Sequence, residues 1–158
     1  RGSVVPLFQK LLANGATELP ITDDRMTRFW ITLDQGVDFV LSSLDLMRGG
    51  EVFVPKIPSM KVTDLALAMA PGIGLKNIGI RPGEKLHEVM ISGDDARVTA
   101  ELSDRYVIEP AFVEYPRKPF LSDAGVSTVE DGFVYSSDNN TEWLKGKALL
   151  DLFGIGNG

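Results

Sequence analysis

The segment on which the interpretation of this chain depends is Ile78-Gly79-Ile80-Arg81-Pro82-Gly83-Glu84-Lys85-Leu86-His87-Glu88. Its apolar start predicts a short strand that stops at Arg81. Pro82 fixes its own φ at about −65° and disfavours helical geometry in the residue before it, while Gly83 permits a tight turn. The segment therefore predicts a strand with an arginine at its end, followed by a turn.

Arg81 and Glu84 form a pair of residue types that suits a phosphorylated sugar. A guanidinium can hold a phosphate or a carboxylate through two parallel hydrogen bonds, and a carboxylate can accept hydrogen bonds from sugar hydroxyls. The alternative is that these two side chains form only a surface ion pair, which would contribute about 0 to 1 kcal/mol. The turn by itself leaves both interpretations open.

The composition excludes several classes of function. A chain of 158 residues with 44% hydrophobic and 24% charged residues has the size and balance of one globular domain. The excess of 22 acidic over 16 basic residues gives a net charge of −6, which disfavours nucleic acid or an anionic membrane as a general partner. The absence of cysteine excludes disulfides and thiolate metal sites, and one histidine leaves little for zinc, although a carboxylate-bound Mg²⁺ stays open. Because no apolar run approaches the ~20 residues that span a bilayer, we expect a cytoplasmic protein.

The pattern before the central segment predicts alternating helices and strands. Thr32 and Gln35 fit a capping box that opens a helix, and Gly49-Gly50 ends it. The other predicted elements are a helix over 3–15 with Ser3 as N-cap, a hairpin-like ribbon of 18–22 and 26–31, a strand over 51–55, a helix capped by Thr63 or Asp64, and a strand over 75–80. This order predicts α/β packing with parallel strands. Trp30 is interpreted as a core anchor of the ribbon rather than as a surface for a ligand.

The pattern after the central segment is less regular. It predicts a short helical turn over 94–97, a strand over 105–110, and a proline-rich surface loop from Pro110 to Phe120. A polar cluster over 135–142 then precedes a final helix that runs to about Phe153, with Trp143 and Leu144 on its buried side.

The motifs of nicotinamide chemistry are absent from this sequence. The glycines of Gly72-Ile73-Gly74 follow a predicted helix and have no third glycine at dinucleotide-fold spacing, so they predict a turn. There is no phosphate loop of the Walker type. None of Tyr106, Tyr115 and Tyr135 has a lysine four residues later. His87 has a side chain suited to general base catalysis, but a single histidine after a turn is more often structural.

Six segments, taken in order, resemble one enzyme family. They are Arg1-Gly2-Ser3-Val4-Val5-Pro6, Leu19-Pro20-Ile21-Thr22-Asp23, Met26-Thr27-Arg28-Phe29-Trp30, Phe53-Val54-Pro55-Lys56, the segment from Gly79 to Glu88, and Tyr135-Ser136-Ser137-Asp138-Asn139-Asn140 with Trp143-Leu144. Together they are similar to the C-terminal half of the inverting UDP-N-acetylglucosamine 4,6-dehydratases, which belong to the extended short-chain dehydrogenase/reductase family. The resemblance covers nearly the whole chain.

The resemblance implies a fold, a cofactor and a role for individual residues. The fold class is α/β, with residues 1–158 as the substrate-binding region of a Rossmann-type enzyme whose N-terminal half, holding NADP or NAD, is missing from this chain. Parts such as 33–54 would pack on that half. Pro20, Ile21 and Thr22 would lie along uracil, Arg28 and Arg81 would bind the diphosphate, Glu84 would hold the ribose hydroxyls, and Arg1 and Ser3 would lie near the sugar and phosphate.

The activity that the resemblance implies is dehydration of a UDP-N-acetyl sugar with inversion at C5, in bacterial surface-glycan and pseudaminic-acid synthesis. The resemblance also implies a homo-oligomer for the complete enzyme. This chain would hold the substrate but would carry no catalytic residue and bind no cofactor or metal. Two alternatives stay open: a UDP-N-acetylglucosamine epimerase or retaining dehydratase of the same family, and a non-enzymatic α/β module that binds a partner or an acidic glycan.

Overall fold

The computed structural model describes residues 4–152, and this part of the chain divides into two compact units. The first unit contains residues 4–30, 58–88 and 140–152, and the second contains residues 31–57 and 89–139. In chain order the elements are α1 Val4–Ala13, β1 Glu18–Ile21, β2 Thr27–Phe29, α2 Leu33–Leu46, β3 Val52–Pro55, β4 Ser59–Lys61, α3 Val62–Met69, β5 Gly74–Asn77, β6 Val89–Ile91, β7 Thr99–Glu101, β8 Arg105–Ile108, β9 Ser127–Thr128, β10 Tyr135–Ser136 and α4 Lys147–Leu152, with 3₁₀ turns at Asp95–Val98 and Phe120–Ser122.

Helix α1 anchors the core of the first unit, although Leu7, one of its apolar residues, is 46% exposed. Val5 and Phe8 on its inner face are buried, and the helix is followed by Gly15 in the left-handed conformation at φ 76°. Phe8 packs in a cluster with residues from β1, from α3 and from the position just before β2, which are Leu19, Ile21, Val62, Ala66 and Met26. The predicted N-cap Ser3 lies outside the described residues.

The strands of the first unit pair differently from the predicted ribbon. Strand β1 pairs in parallel with β5, and β2 pairs antiparallel with β4. The hairpin prediction is therefore wrong. A tight two-residue hairpin needs left-handed backbone conformations, and the connection from Thr22 to Met26 contains no glycine and no residue with positive φ.

Two elements of the first unit also begin or end at residues other than those predicted. Strand β5 ends at Asn77 rather than Ile80, because the Asn77 side chain accepts a hydrogen bond from the Gly79 N–H and Gly79 adopts φ 82°. Helix α3 starts at Val62 without a side-chain cap, since β4 leads straight into it and the Val62 N–H donates to the Met26 carbonyl. The predicted caps at Thr63 and Asp64 are thus wrong.

The final helix is shorter than predicted. Helix α4 covers only Lys147–Leu152, and Leu149 in it is fully buried. Trp143 precedes the helix, forms an isolated parallel bridge with Ser59, and donates its indole N–H to the Asn140 carbonyl at 2.7 Å. Trp143 and Leu144 therefore belong to an extended segment and not to the buried face of the helix.

The second unit is built on an antiparallel sheet in the order β3-β8-β7-β9, with β6 and β10 as a separate antiparallel pair. The mixed α/β class is confirmed, but parallel pairing is wrong for every described pair except β1 with β5. Ala100, Val107 and Phe120 form a buried cluster in this unit, and the rings of Phe53 and Phe120 contact edge to face with centroids 5.8 Å apart. The sequence pattern missed this arrangement because short apolar runs do not specify the partner or direction of a strand.

Helix α2 begins with the capping box that the sequence predicts. The Gln35 N–H donates to the Thr32 hydroxyl at 3.2 Å, and the Thr32 N–H donates to the Gln35 side chain at 3.0 Å. None of its residues is buried, and Val40, Leu41 and Leu44 are each 57% exposed. Its apolar stripe therefore has no cover among residues 4–152. No helix in this range is long and apolar enough to cross a membrane.

Candidate nucleotide-sugar groove

A groove of about 730 Å³ lies entirely within the first unit. It brings together residues from α1, β1, β2, β4 and the segment after β5. The lining residues are Val4, Pro6, Leu7, Lys10, Pro20, Ile21, Thr22, Met26, Arg28, Phe29, Trp30, Met60, Val62, Ile78, Arg81, Glu84 and Glu88. All six described residues that the resemblance assigned to substrate binding are in this set. Arg1 and Ser3 lie outside the described residues.

One wall of the groove is the end of β1 and the residue after it. Ile21 is buried, and its carbonyl accepts a hydrogen bond from the Ile78 N–H at 2.8 Å. Pro20 carries no N–H, so this stretch presents fewer backbone donors than an ordinary strand. Extended backbone at Pro20 to Thr22 is suited to lie along a flat ring.

The turn at residues 81–84 supplies a cation and a carboxylate to the groove. The Glu84 N–H donates to the Arg81 carbonyl at 3.0 Å, and a Glu84 carboxylate oxygen accepts from the Arg81 N–H at 3.2 Å. Gly83 adopts φ 81°, a conformation that most side chains oppose. Arg81 is exposed, and among residues 4–152 its guanidinium has no hydrogen-bond or ion-pair partner. The surface ion pair of Arg81 with Glu84 is therefore not formed in the described structure.

Arg28 is the second cation of the groove, and its environment differs from that of Arg81. Its guanidinium donates to the Thr27, Leu86 and Lys85 carbonyls at 2.6, 3.1 and 2.9 Å. Its Nε lies 3.9 Å from a Glu88 carboxylate oxygen, and its side chain is 22% exposed. Arg28 is thus held by the protein itself at one edge of the groove.

The lining also includes residues that sequence reasoning assigned to the core or did not single out. Trp30 packs against the cluster of Val5, Met60, Leu65 and Leu149, as predicted, but it also lines the groove. Lys10, in the last turn of α1, adds a third cation to the lining. The only available signal for Lys10 was its spacing from Leu7, one turn earlier, which places both on one face of the helix.

His87 and Glu88 connect this segment to β2. The His87 Nδ1 lies 2.8 Å from the Thr27 hydroxyl, and a Glu88 oxygen accepts from the Phe29 N–H at 2.8 Å. These contacts agree with the structural interpretation of His87.

A charged pair, Asp23 with Arg25, follows the end of β1. The Arg25 side chain and backbone N–H donate to Asp23 at 2.8 to 2.9 Å and hold the pKa of that carboxyl well below its ordinary value. Within residues 4–152, no three His, Cys, Asp or Glu side chains are grouped to hold a metal ion.

The groove's cations, carboxylate and extended edge agree with what the sequence family indicates. The family model described as polysaccharide biosynthesis protein matches residues 1–110. The chain belongs to this polysaccharide biosynthesis family. The "UDP-N-acetylglucosamine 4,6-dehydratase (inverting)" of Campylobacter jejuni serotype O:2 is 56% identical over 96% of this chain and 47% of its own length. The "UDP-glucose 4-epimerase" of Rickettsia akari is 36% identical over 96% of this chain and 46% of its own length.

The fold of this chain is also similar to that of a solved structure. The X-ray structure of Pen from Bacillus thuringiensis matches with a TM-score of 0.78 and 28% identity, covering 97% of this chain and 45% of Pen. The chain spans about half the length of the curated relatives it matches.

Proposed function

We propose that this chain is the substrate-binding region of a C5-inverting UDP-N-acetylglucosamine 4,6-dehydratase of bacterial surface-glycan synthesis, and that the groove holds the UDP part of the substrate. The observation that carries the proposal is the convergence of the expected ligand-binding residues, from two distant parts of the sequence, on one groove. The identity of 56% to a relative named for this activity supports it. The pseudaminic-acid pathway stays a prediction.

Each part of the groove has a role that its chemistry fits. Pro20, Ile21 and Thr22 lie along uracil, where extended backbone and a flat apolar surface suit a planar base. Arg81 takes a phosphate through the fork of its guanidinium, and Arg28 adds positive charge beside it. Glu84 accepts from the ribose hydroxyls with the carboxylate oxygen lone pairs that the Arg81 N–H does not use.

The nicotinamide cofactor, NADP or NAD, does not fit the residues of this chain. Gly72 lies in the turn after α3 and Gly74 begins β5, in the order helix, turn, strand, whereas a dinucleotide turn leads from a strand into a helix. We therefore assign the hydride and proton chemistry to an N-terminal Rossmann-type half of an extended short-chain dehydrogenase/reductase. In this proposal the present region binds and orients the substrate for groups that another part of the protein provides.

The uncovered face of α2 supports such a second half. This helix leaves Val40, Leu41 and Leu44 each 57% exposed, and an exposed apolar stripe of this kind marks an interaction surface. We infer that residues 33–54 pack on the nucleotide-binding half. Homo-oligomer formation and a cytoplasmic location stay predictions.

A UDP-sugar 4-epimerase is the second candidate, because relatives of that name are 35 to 40% identical to this chain. Both activities need a UDP-sugar in the groove. The distinction lies in what happens at C6 of the sugar, and it is tested on the complete protein by following loss of water from UDP-N-acetylglucosamine with mass spectrometry.

The binding proposal is tested by calorimetric titration of the 158-residue chain with UDP, ADP and uridine. We expect UDP to bind more tightly than uridine, because only UDP carries phosphates that can accept hydrogen bonds from the guanidiniums. UDP should also bind more tightly than ADP, because the wall at Pro20 to Thr22 is expected to fit a pyrimidine. Equal affinity for UDP and ADP would contradict recognition of uracil, and an absence of UDP binding would overturn the proposal.

A further inference from the structure

The segment Lys85 to Glu88 forms neither helix nor strand, yet it is attached to β2 along its length. The Thr27 N–H donates to the Leu86 carbonyl at 3.2 Å, and the Phe29 N–H donates to the Glu88 carboxylate at 2.8 Å. The other edge of β2 pairs with β4. The segment therefore occupies the place of a third strand beside β2, although side chains provide much of the attachment.

The guanidinium of Arg28 completes this attachment. An arginine carries five N–H donors. Three hydrogen bonds from Arg28 end on backbone carbonyls, two of them in the segment itself, at Lys85 and Leu86. The Glu88 carboxylate lies 3.9 Å from Nε of Arg28 and also accepts a hydrogen bond from the Phe29 N–H. Arg28 and Glu88 thus join β2 and the segment from both sides.

We propose that Arg28 and Glu88 form a clasp that fixes the turn at residues 81–84 in its binding geometry. Arg28 then acts on the ligand largely through Arg81 and Glu84, as a positioning residue. The inference rests on the proposed function for what the groove binds.

The chain connectivity explains why the clasp controls the turn. Arg81 and Glu84 lie immediately before the clasped segment, in a stretch with a glycine on each side of Arg81 that adopts positive φ. Among residues 4–152 the described backbone bonds of the turn itself are local, between Arg81 and Glu84. A turn of this kind has many accessible geometries, so its position is set by its two ends: the Ile78 N–H bonded to the Ile21 carbonyl before it, and the clasped segment after it. Releasing that segment lowers the fraction of molecules with Arg81 and Glu84 correctly placed, and apparent affinity falls in proportion to that fraction.

The clasp makes a prediction that separates it from a direct phosphate contact. A residue that touches only the diphosphate affects UDP and leaves uridine unchanged. A residue that positions the turn affects both ligands, because Glu84 serves the ribose that both contain. We expect Arg28→Lys and Glu88→Ala each to lower the affinity for both UDP and uridine by about fivefold or more. In Arg28→Lys the lysine keeps the charge but cannot donate to three carbonyls in one plane. The affinity of the double variant should be little lower than that of either single variant, because both substitutions disrupt the same clasp.

The experiment measures ligand titrations and amide hydrogen exchange on the 158-residue chain. Glu88→Gln keeps an acceptor for the Phe29 N–H and should retain most of the binding. The controls are Arg97→Lys, at an arginine with 71% side-chain exposure outside the groove, and Glu142→Ala, at an exposed glutamate of the first unit. In the free protein, Thr27 and Phe29 amides should exchange faster in Arg28→Lys and Glu88→Ala than in the controls. A thermal melt of each variant confirms that it folds.

The outcomes are distinct. Weaker binding of both UDP and uridine, together with faster amide exchange at Thr27 and Phe29, supports the clasp. Loss of UDP alone, with unchanged uridine binding and unchanged exchange, overturns it and makes Arg28 a direct phosphate ligand. If the unaltered chain binds neither UDP nor uridine, the proposed function fails, and the exchange rates still decide whether the clasp exists.

Discussion

Replacing Arg81 is the sharpest test of the groove, because the free structure shows little that the replacement would disturb. Among residues 4–152 the Arg81 side chain is exposed and forms no hydrogen bond or ion pair. Its loss therefore leaves no buried partner without a bond. The free energy of unfolding should change by less than about 0.5 kcal/mol, as for other surface sites. Any effect on UDP affinity then reports the ligand contact itself.

The expected magnitude follows from the chemistry of a guanidinium on a phosphate. A hydrogen bond to a charged group contributes about 1.5 to 3 kcal/mol, so Arg81→Ala should weaken UDP binding by a factor of about 10 to 150. Arg81→Lys should weaken it nearly as much, because an ammonium keeps the charge but loses the fork, and at 4 Å in water the charge alone contributes only about 1 kcal/mol. Uridine affinity should be almost unchanged.

The assay is calorimetric titration of the unaltered chain, Arg81→Ala and Arg81→Lys with UDP and with uridine. Arg97→Ala is the matched control, since it removes an exposed guanidinium that does not line the groove. The salt concentration is kept constant, because surface charges are screened over about 8 to 10 Å at moderate ionic strength. Equal losses for UDP and uridine, or no loss for either, would show that Arg81 does not touch the phosphates.

Three further predictions follow from the structure. The chain alone should neither retain NAD(P) nor dehydrate UDP-N-acetylglucosamine, and a nicotinamide cofactor seen by absorbance or mass spectrometry in the purified chain would contradict this. Because α2 exposes an apolar stripe, the chain should bind a hydrophobic dye or self-associate, whereas a monodisperse monomer with a sharp melt and no dye signal would show that residues 33–54 need no cover. The hydrogen bonds from Arg48 and Lys118 lower the pKa of Asp123 to about 2, so the stability from this group is present above pH ~4 and is lost as the pH falls towards 2. Asp123→Asn should therefore flatten the acid side of the melting temperature profile, and an unchanged profile would argue against this pairing.

Local signals in the sequence predicted local structure well. The capping box at Thr32 and Gln35 and the glycine after α1 act within a few residues of the chain, and both are present as predicted. The partner of a strand depends on distant residues, so the pairing of β1 with β5 and of β2 with β4 could not be obtained from apolar patterns. The short strands of this chain, two to four residues long, make the pattern weaker still.

The candidate site was predicted at the level of residue types and not at the level of their partners. Arginine, glutamate and an extended proline-containing edge could be assigned to a nucleotide sugar from their chemistry and from a family resemblance, and the groove contains all six described members of that set. The sequence could not show that Glu84 would accept from the Arg81 N–H. Nor could it show that Trp30 would serve both core and groove, because a side chain of that size can contact two environments at once.

The difference between Arg28 and Arg81 has a thermodynamic consequence for binding. Arg28 lies in β2 between neighbouring carbonyls, so its side chain is already ordered in the free protein. Arg81 lies in a turn where Gly79 and Gly83 carry the backbone away from regular pairing, and its guanidinium remains available. Ordering a free arginine side chain costs up to about 2 kcal/mol of rotamer entropy, so in the proposed complex the phosphate would have to offset this cost at Arg81 but not at Arg28. Under the proposed function, Arg28 would supply fixed positive charge, and the Arg81 guanidinium would become ordered on binding the diphosphate.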